Sequence, residues 1–234
     1  MSPSATMKTS KAPTSAFKFI IFDCDGVLVD TETISNSILA NQLTELGYKC
    51  NTDQAKEIFI GRSMKDCFRI VKEDLKLNPP EDFLDQYDVQ LFEALKTSVK
   101  PIPGVLEALK NIQLPKCVAS SGSFEKMNLT LGQTGIVDFF SGNIFSTTQV
   151  KNGKPAPDLF LLAAHTNKMD SKYIVVIEDS AFGIKAAKAA GMTAFGFARE
   201  TDESKLIDAG ADLIFKDMKH LPELIRSYNG FLNK

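Results

Sequence analysis

Four short clusters of residues capable of acid, metal and anion chemistry are spread along this 234-residue chain. The first is Asp23-Cys-Asp-Gly26, two carboxylates around a cysteine with a glycine directly after them. The second is Ser120-Ser-Gly122, hydroxyls followed by a residue that allows a tight, amide-rich turn. The third, Gly153-Lys-Pro-Ala-Pro-Asp158, holds Lys154 in a segment that its prolines should keep stiff and extended. The fourth is Glu178-Asp-Ser180, two more acids and a hydroxyl able to cap a helix. Asp23, Asp25, Glu178 and Asp179 supply hard oxygen ligands of the kind Mg²⁺ takes. Ser120, the Ser121 and Gly122 amides and the Lys154 ammonium suit the oxygens of a phosphoryl group. Singly, each cluster has a plainer reading as a turn, a helix cap or a solvated lysine. Their order, each at the end of an apolar run, is far more specific.

The elements that must position them can be read from periodicity. Phe19-Ile-Ile-Phe22 is apolar on both faces, which suits a strand inside a sheet covered on both sides. Acids are excluded from a dry core, so the strand has to emerge at Asp23. In open parallel sheets that carboxyl edge is where ligands bind. Residues 30–46 then show a helical pattern ending at Gly47, and further helices are expected over 53–60, 63–75 and 81–97. Ser63 with Asp66 resembles a capping box. From Pro101 onward short apolar runs at 116–120, 143–145, 173–177, 193–197 and 212–215 alternate with helical stretches at 124–132, 158–167, 181–190 and 221–228. That alternation predicts an α/β fold: a Rossmann-like parallel-sheet core with an all-helical cap inserted after the first strand. The expected division is a disordered tail over 1–16, a core over 17–30 and 101–234, and the cap over 31–100.

Composition removes other classes. With 27 basic against 29 acidic residues, nothing favours nucleic-acid backbone or an anionic membrane. No apolar run approaches the ~18 residues that span a bilayer. Cys24, Cys50, Cys67 and Cys117 are too dispersed for a zinc site or a disulfide framework, and a reducing, cytoplasmic compartment is expected. The first sixteen residues lack the apolar segment of a secretory signal.

In order, Asp23-Cys-Asp-Gly-Val-Leu-Val-Asp30-Thr-Glu, Ser120-Ser-Gly, Gly153-Lys-Pro-Ala-Pro-Asp158 and Glu178-Asp-Ser-Ala-Phe-Gly resemble the four motifs of the haloacid dehalogenase superfamily. The likeness is closest to its β-phosphoglucomutase-like, sugar-phosphate phosphatase branch and covers residues 17–228. It implies Asp23 as a nucleophile forming an aspartyl-phosphate and Asp25 as the acid and base. It further implies Mg²⁺ on Asp23, Asp179, the Asp25 carbonyl and Glu178, and phosphoryl oxygens on Ser120, the Ser121 amide and Lys154. Dehalogenating members lack the second acid, so Asp25 favours phosphate-ester chemistry. Mutases of the branch carry a cap histidine and a cap arginine where this chain has Ser35 and Met64, which favours hydrolysis. Arg62 and Lys65 are candidates to meet a substrate's second anionic group. His165 and His220 fall in core helices and read as surface or half-buried packing residues, and Phe124 and Phe182 read as core. The expectation is a monomeric, Mg²⁺-dependent phosphatase of small sugar or sugar-acid phosphates, with the cap shutting out water. The alternatives are a hexose phosphomutase and, in another class, a receiver-like phospho-accepting domain.

Overall fold

The computed structural model describes residues 6–7, 16–59 and 64–231. In chain order the strands and α-helices are Thr6–Met7 (β1), Phe19–Phe22 (β2), Val29–Asp30 (β3), Glu32–Glu45 (α1), Thr52–Phe59 (α2), Met64–Arg69 (α3) and Phe83–Ser98 (α4). They continue with Lys100–Pro101 (β4), Val105–Asn111 (α5), Lys116–Ser120 (β5), Phe124–Gln133 (α6), Ile144–Ser146 (β6) and Asp158–Thr166 (α7). The chain closes with Ile174–Glu178 (β7), Ala181–Ala189 (α8), Thr193–Phe197 (β8), Glu203–Asp208 (α9), Leu213–Phe215 (β9) and Leu221–Phe231 (α10). It divides into two compact units, Met1–Val29 with Pro101–Lys234, and Asp30–Lys100.

The first unit is built on six parallel strands in the order β9-β8-β7-β2-β5-β6, with β1 added antiparallel beside β9. This is the α/β, Rossmann-like architecture that strand–helix alternation predicted. From β2 the chain steps outward through β5 and β6, then returns to the other side of β2 and continues through β7, β8 and β9. The reversal lies between β2 and β7, and such switch points open a crevice at the carboxyl edge. Every residue of β2 and β7 is buried, as their unbroken apolar runs require. Phe19 and Ile21 pack on one face with Leu159, Phe160 and Ile184 from α7 and α8. On the opposite side Phe22 meets Phe140 edge-on, their ring centroids 5.9 Å apart.

Three features differ from the sequence reading. Of the tail expected to be disordered, Thr6–Met7 pairs with Leu213 and Ile214, while most of the remainder lies outside the described residues. α9 was not anticipated because Leu206 is its one buried residue, too little for an apolar period. The helix expected over 63–75 changes character at Ile70. There a π-helical segment, Ile70–Asp74, is closed by the Leu75 amide donating to the Ile70 carbonyl at 2.9 Å. Its widening coincides with two consecutive buried side chains, Ile70 and Val71, which a regular α-turn would point 100° apart. Ser63 lies outside the described residues, so the expected capping box does too.

The second unit is all-helical. Leu39 and Leu43 from α1, Ala55 and Phe59 from α2, and Phe83 and Tyr87 from α4 form its buried core. No helix among the described residues is long and apolar enough to cross a membrane.

Candidate active site

Strand register brings the four sequence clusters to one edge. Phe22 of β2 pairs with Ile177 of β7 and Val118 of β5, and Ser120 pairs with Ser146 of β6. The residues that follow therefore leave the sheet side by side. The Asp23 amide still donates to the Ile177 carbonyl at 3.0 Å, so Asp23 starts from a backbone position fixed by the sheet. Ser180 caps α8 by accepting from the Gly183 amide at 3.0 Å, and this sets the turn that carries Glu178 and Asp179.

Lys154 is the electrostatic centre. Its Nζ donates to Asp23 Oδ1 at 2.7 Å, to Glu178 Oε1 at 2.5 Å and to the Ala119 carbonyl at 3.1 Å. All three donor positions of the ammonium are thus used, and its side chain is only 5 % exposed. The Phe160 ring lies beneath it, with its centroid 5.0 Å from Nζ. The segment that delivers Lys154 is a turn and not the extended stretch expected from its prolines. The Ala156 amide donates to the Gly153 carbonyl at 3.0 Å, and the Lys154–Pro155 peptide is cis.

The surroundings of these charges set their proton affinities. Burial pushes the Asp23 carboxyl up to about 7; Lys154 opposes the rise, and the Glu178 and Asp25 carboxylates add to it. For Lys154 burial works downward, but attraction to Asp23 and Glu178 outweighs it and holds the ammonium above its ordinary range. Between the two acids, burial and like-charge neighbours raise the Cys24 thiol far from its reactive range.

Two glycines make room for the remaining carboxylates. Gly26 has φ +75°, and a Cβ there would lie 2.0 Å from Asp179 Oδ2. A Cβ on Gly183 would lie 1.9 Å from Glu178 Oε1. Any side chain at either position would displace an acid from the site. As a result one oxygen each from Asp23, Glu178 and Asp179 lies within 4.8 Å of the others. Three hard oxygen donors at that spacing can hold a divalent cation. Both Glu178 oxygens already have partners, since Oε2 accepts from the Ser180 amide at 3.1 Å and its hydroxyl at 2.9 Å.

The Ser120–Gly122 turn forms the other wall. Ser120 is fully buried and its Oγ accepts from the Gly122 amide at 3.2 Å. The end of β6 and the residue after it brace the turn: Ser146 Oγ donates to the Gly122 carbonyl at 2.7 Å, and Thr147 Oγ1 to the Ser121 carbonyl at 3.0 Å. Asp25 faces this turn, with Oδ2 2.8 Å from the ammonium of Lys126 on α6. The structure therefore brings Asp23, Asp25, Ser120, Ser121, Lys154, Glu178 and Asp179 to one sheet edge. Lys126 and Ser146 were missed. Lys126 left one signal in the sequence, a cation in the first turn of a helix, where the macrodipole disfavours it.

Some expectations fall elsewhere. Arg62 and the side chain of Lys65 lie outside the described residues. Phe124 and Phe182, read as core, are 37 % and 59 % exposed. Each occupies the first turn of its helix. His165 and His220 are exposed, in keeping with the surface position expected of them.

Comparison with known proteins agrees with this geometry. The family model described as haloacid dehalogenase-like hydrolase matches residues 20–197. A phosphorylated carbohydrates phosphatase of Thermotoga maritima is 30% identical over 206 residues, covering 84% of this chain and 93% of that one. The 6-phosphogluconate phosphatase of Escherichia coli is 25% identical over 211 residues, 90% and 95% of the two chains. Among solved structures, a haloacid dehalogenase-like protein of unknown function from Agrobacterium tumefaciens superposes with a TM-score of 0.84 at 34% identity. That superposition covers 91% of this chain and 99% of the other.

Proposed function

This chain belongs to the haloacid dehalogenase-like hydrolase family and is a phosphoric monoester hydrolase, and we propose that it is a Mg²⁺-dependent phosphatase of small sugar or sugar-acid phosphates working through an aspartyl-phosphate. The observation that carries this reading is Lys154 bridging Asp23 and Glu178 within reach of Asp179, at a sheet edge that also presents Asp25 and the Ser120 turn.

In the first step a carboxylate oxygen of Asp23 attacks phosphorus, and the bond from phosphorus to the ester oxygen breaks. The departing oxygen takes the bonding pair and receives a proton from Asp25, so an alcohol leaves. In the second step water attacks the phosphoryl group and gives its proton to Asp25, and the Asp23 carboxylate departs. The sum is ester plus water to alcohol plus phosphate, with both acids restored. Lys154 offsets the repulsion between Asp23 and an incoming dianion, and Ser120 with the Ser121 and Gly122 amides holds the phosphoryl oxygens.

The side chains of Asp23 and Asp179 and the Asp25 carbonyl are the residues that would hold Mg²⁺. Glu178 would act on its outer side, because its own oxygens are taken by Lys154 and Ser180. When bound, the ion supplies positive charge to the phosphoryl oxygens. Small-ester specificity is supported by the phosphorylated-carbohydrate and 6-phosphogluconate phosphatases among the relatives. The phosphomutase alternative is disfavoured by Ser35. It stands where mutases have a histidine, and its hydroxyl is engaged with Tyr87 Oη at 2.5 Å. The receiver-like alternative is disfavoured by the family match across both units.

The deciding experiment measures phosphate release from sugar phosphates, sugar-acid phosphates and nucleotides, with Mg²⁺ and with chelator. Release confined to Mg²⁺ and greatest for the sugar esters is expected. Turnover indifferent to chelation, or isomerisation of a hexose phosphate without phosphate release, would overturn the proposal.

A further inference from the structure

We propose that Lys126 is the positioning residue for Asp25, holding its carboxyl group over the phosphate turn where the departing alcohol must collect its proton. The inference rests on the reading of Asp25 as the acid and deepens it.

The pair brings a second ammonium to the site, beside the one of Lys154. Lys126 Nζ lies 2.8 Å from Asp25 Oδ2, with the two side chains 25 % and 30 % exposed. The main chain around Asp25 is held in a tight turn. The Cys24 carbonyl accepts from the Leu28 and Val29 amides at 2.9 and 3.1 Å, and the Gly26 amide donates to the Val29 carbonyl at 2.9 Å. This fixes the backbone and not the carboxyl group. The side-chain direction of Asp25 therefore depends on what the carboxylate meets. Gly122 shows where that is. A Cβ built there would lie 3.7 Å from Asp25 Oδ2, 3.6 Å from Ser120 Oγ and 3.8 Å from Lys126 Cδ. The acid, the buried hydroxyl and the lysine stem thus converge over one side-chain-free residue.

Lys126 is held on the other side by its helix. Its amide donates to the Ser123 cap at 3.2 Å, and its carbonyl accepts from Thr130 Oγ1 at 3.0 Å. An ammonium in this first turn faces the positive end of α6, so helix stability does not explain its place. A partly exposed ion pair also adds little to folding. What the arrangement does supply is a fixed direction for Asp25. A mispositioned acid costs most when the leaving group is poor, because a well-stabilised phenolate can depart without a proton and a more basic oxygen cannot.

The test is a series of substituted phenyl phosphates, from p-nitrophenyl to unsubstituted phenyl, with Mg²⁺ present. Lys126→Met is expected to lose about tenfold or more in kcat on phenyl phosphate and less than about threefold on p-nitrophenyl phosphate. Lys126→Arg, which keeps the charge, should return phenyl phosphate turnover to within about threefold of the parent. Equal losses on both esters, or no loss on either, would overturn the inference. If the methionine variant melts early, Lys126→Gln and Lys126→Arg carry the same comparison. Asp25→Asn separates this proposal from the one beneath it. A selective loss in Asp25→Asn without one in the Lys126 variants removes Lys126 alone. No selectivity in Asp25→Asn removes Asp25 as the acid, and Lys126 with it.

Discussion

The sheet edge of the first unit and the interior of the helical unit bury polar groups on opposite terms. At the edge, the ionisable groups of Asp23, Glu178 and Lys154 are nearly inaccessible, and that of Glu178 is wholly so. Among the described residues the helical unit buries Thr31, Asn36 and Gln42, all neutral. Burying a charge is costly unless it is paired, and the edge sets Asp23 and Glu178 against the Lys154 ammonium with Asp179 close to both acids. That excess of negative charge is what the divalent cation proposed above would neutralise, and its neutralisation would let a phosphoryl dianion approach. The helical interior follows the ordinary rule, in which burial of apolar surface and local hydrogen bonds serve stability.

If the comparison is sound, substitutions at the edge should separate activity from stability. Asp23→Asn should show this most strongly, with kcat falling by at least about 10³-fold. Yet the amide oxygen can still accept from Lys154, and one buried negative charge is gone. The melting temperature in chelator should therefore match or exceed that of the parent. Full-rate phosphate release from this variant would remove Asp23 from the mechanism; a large drop in melting temperature would mean that its charge serves the fold. Lys154→Met should damage both properties, because Asp23 and Glu178 lose their shared partner. Breaking a buried pair from one side costs about 3–5 kcal/mol, to be read from urea unfolding.

A third measurement asks whether the edge is completed by metal. Saturating Mg²⁺ should raise the melting temperature, with a stabilisation of about 2.7 kcal/mol at a hundred times the dissociation constant. Asp179→Asn should lose most of that increment while unfolding normally in chelator. Equal Mg²⁺ responses in the parent and Asp179→Asn would place the ion elsewhere.

Much of the edge was legible because strand ends obey simple rules. A continuous apolar run such as Phe19–Phe22 has to lie inside a sheet, so the acids that follow it mark the strand's carboxyl end. Asp23 there is nonetheless buried against Lys154 and does not emerge into solvent. Register then does what sequence cannot announce, placing Asp23 beside Glu178 across 155 positions that share no local pattern. Lys126 escaped notice because it sits in an amphipathic helix, where a lysine reads as a solvated face. Phe124 and Phe182 misled for a related reason: an aromatic side chain reads as core from its type alone, and the sequence does not say that the first turn of its helix is left exposed. In the helical unit the elements were legible and their internal pairings were not. The contact between Ser35 and Tyr87 joins residues 52 positions apart and leaves no trace in either helix's period. Nor does a π-helical turn at Ile70, which depends on how two adjacent side chains are packed.

The smallest expected effect tests the helical side of the comparison. Gln42 is 3 % exposed, its Nε2 makes a long 3.5 Å contact to the Phe83 carbonyl, and its Oε1 has no hydrogen-bond partner among the described residues. A buried acceptor without a partner costs about 1–3 kcal/mol of desolvation. Gln42→Leu removes that cost and adds apolar contact to a core already formed by Leu39 and Leu43, but it also leaves the Phe83 carbonyl without its weak donor. The two terms nearly cancel, so urea unfolding should place the variant within about 1 kcal/mol of the parent, on the stable side. Phosphate release should not change. A loss of several kcal/mol would show that Gln42 is tied into the interior by a bridging water, which has room only where a polar partner awaits it. The helical interior would then resemble the sheet edge more closely than its burial pattern suggests.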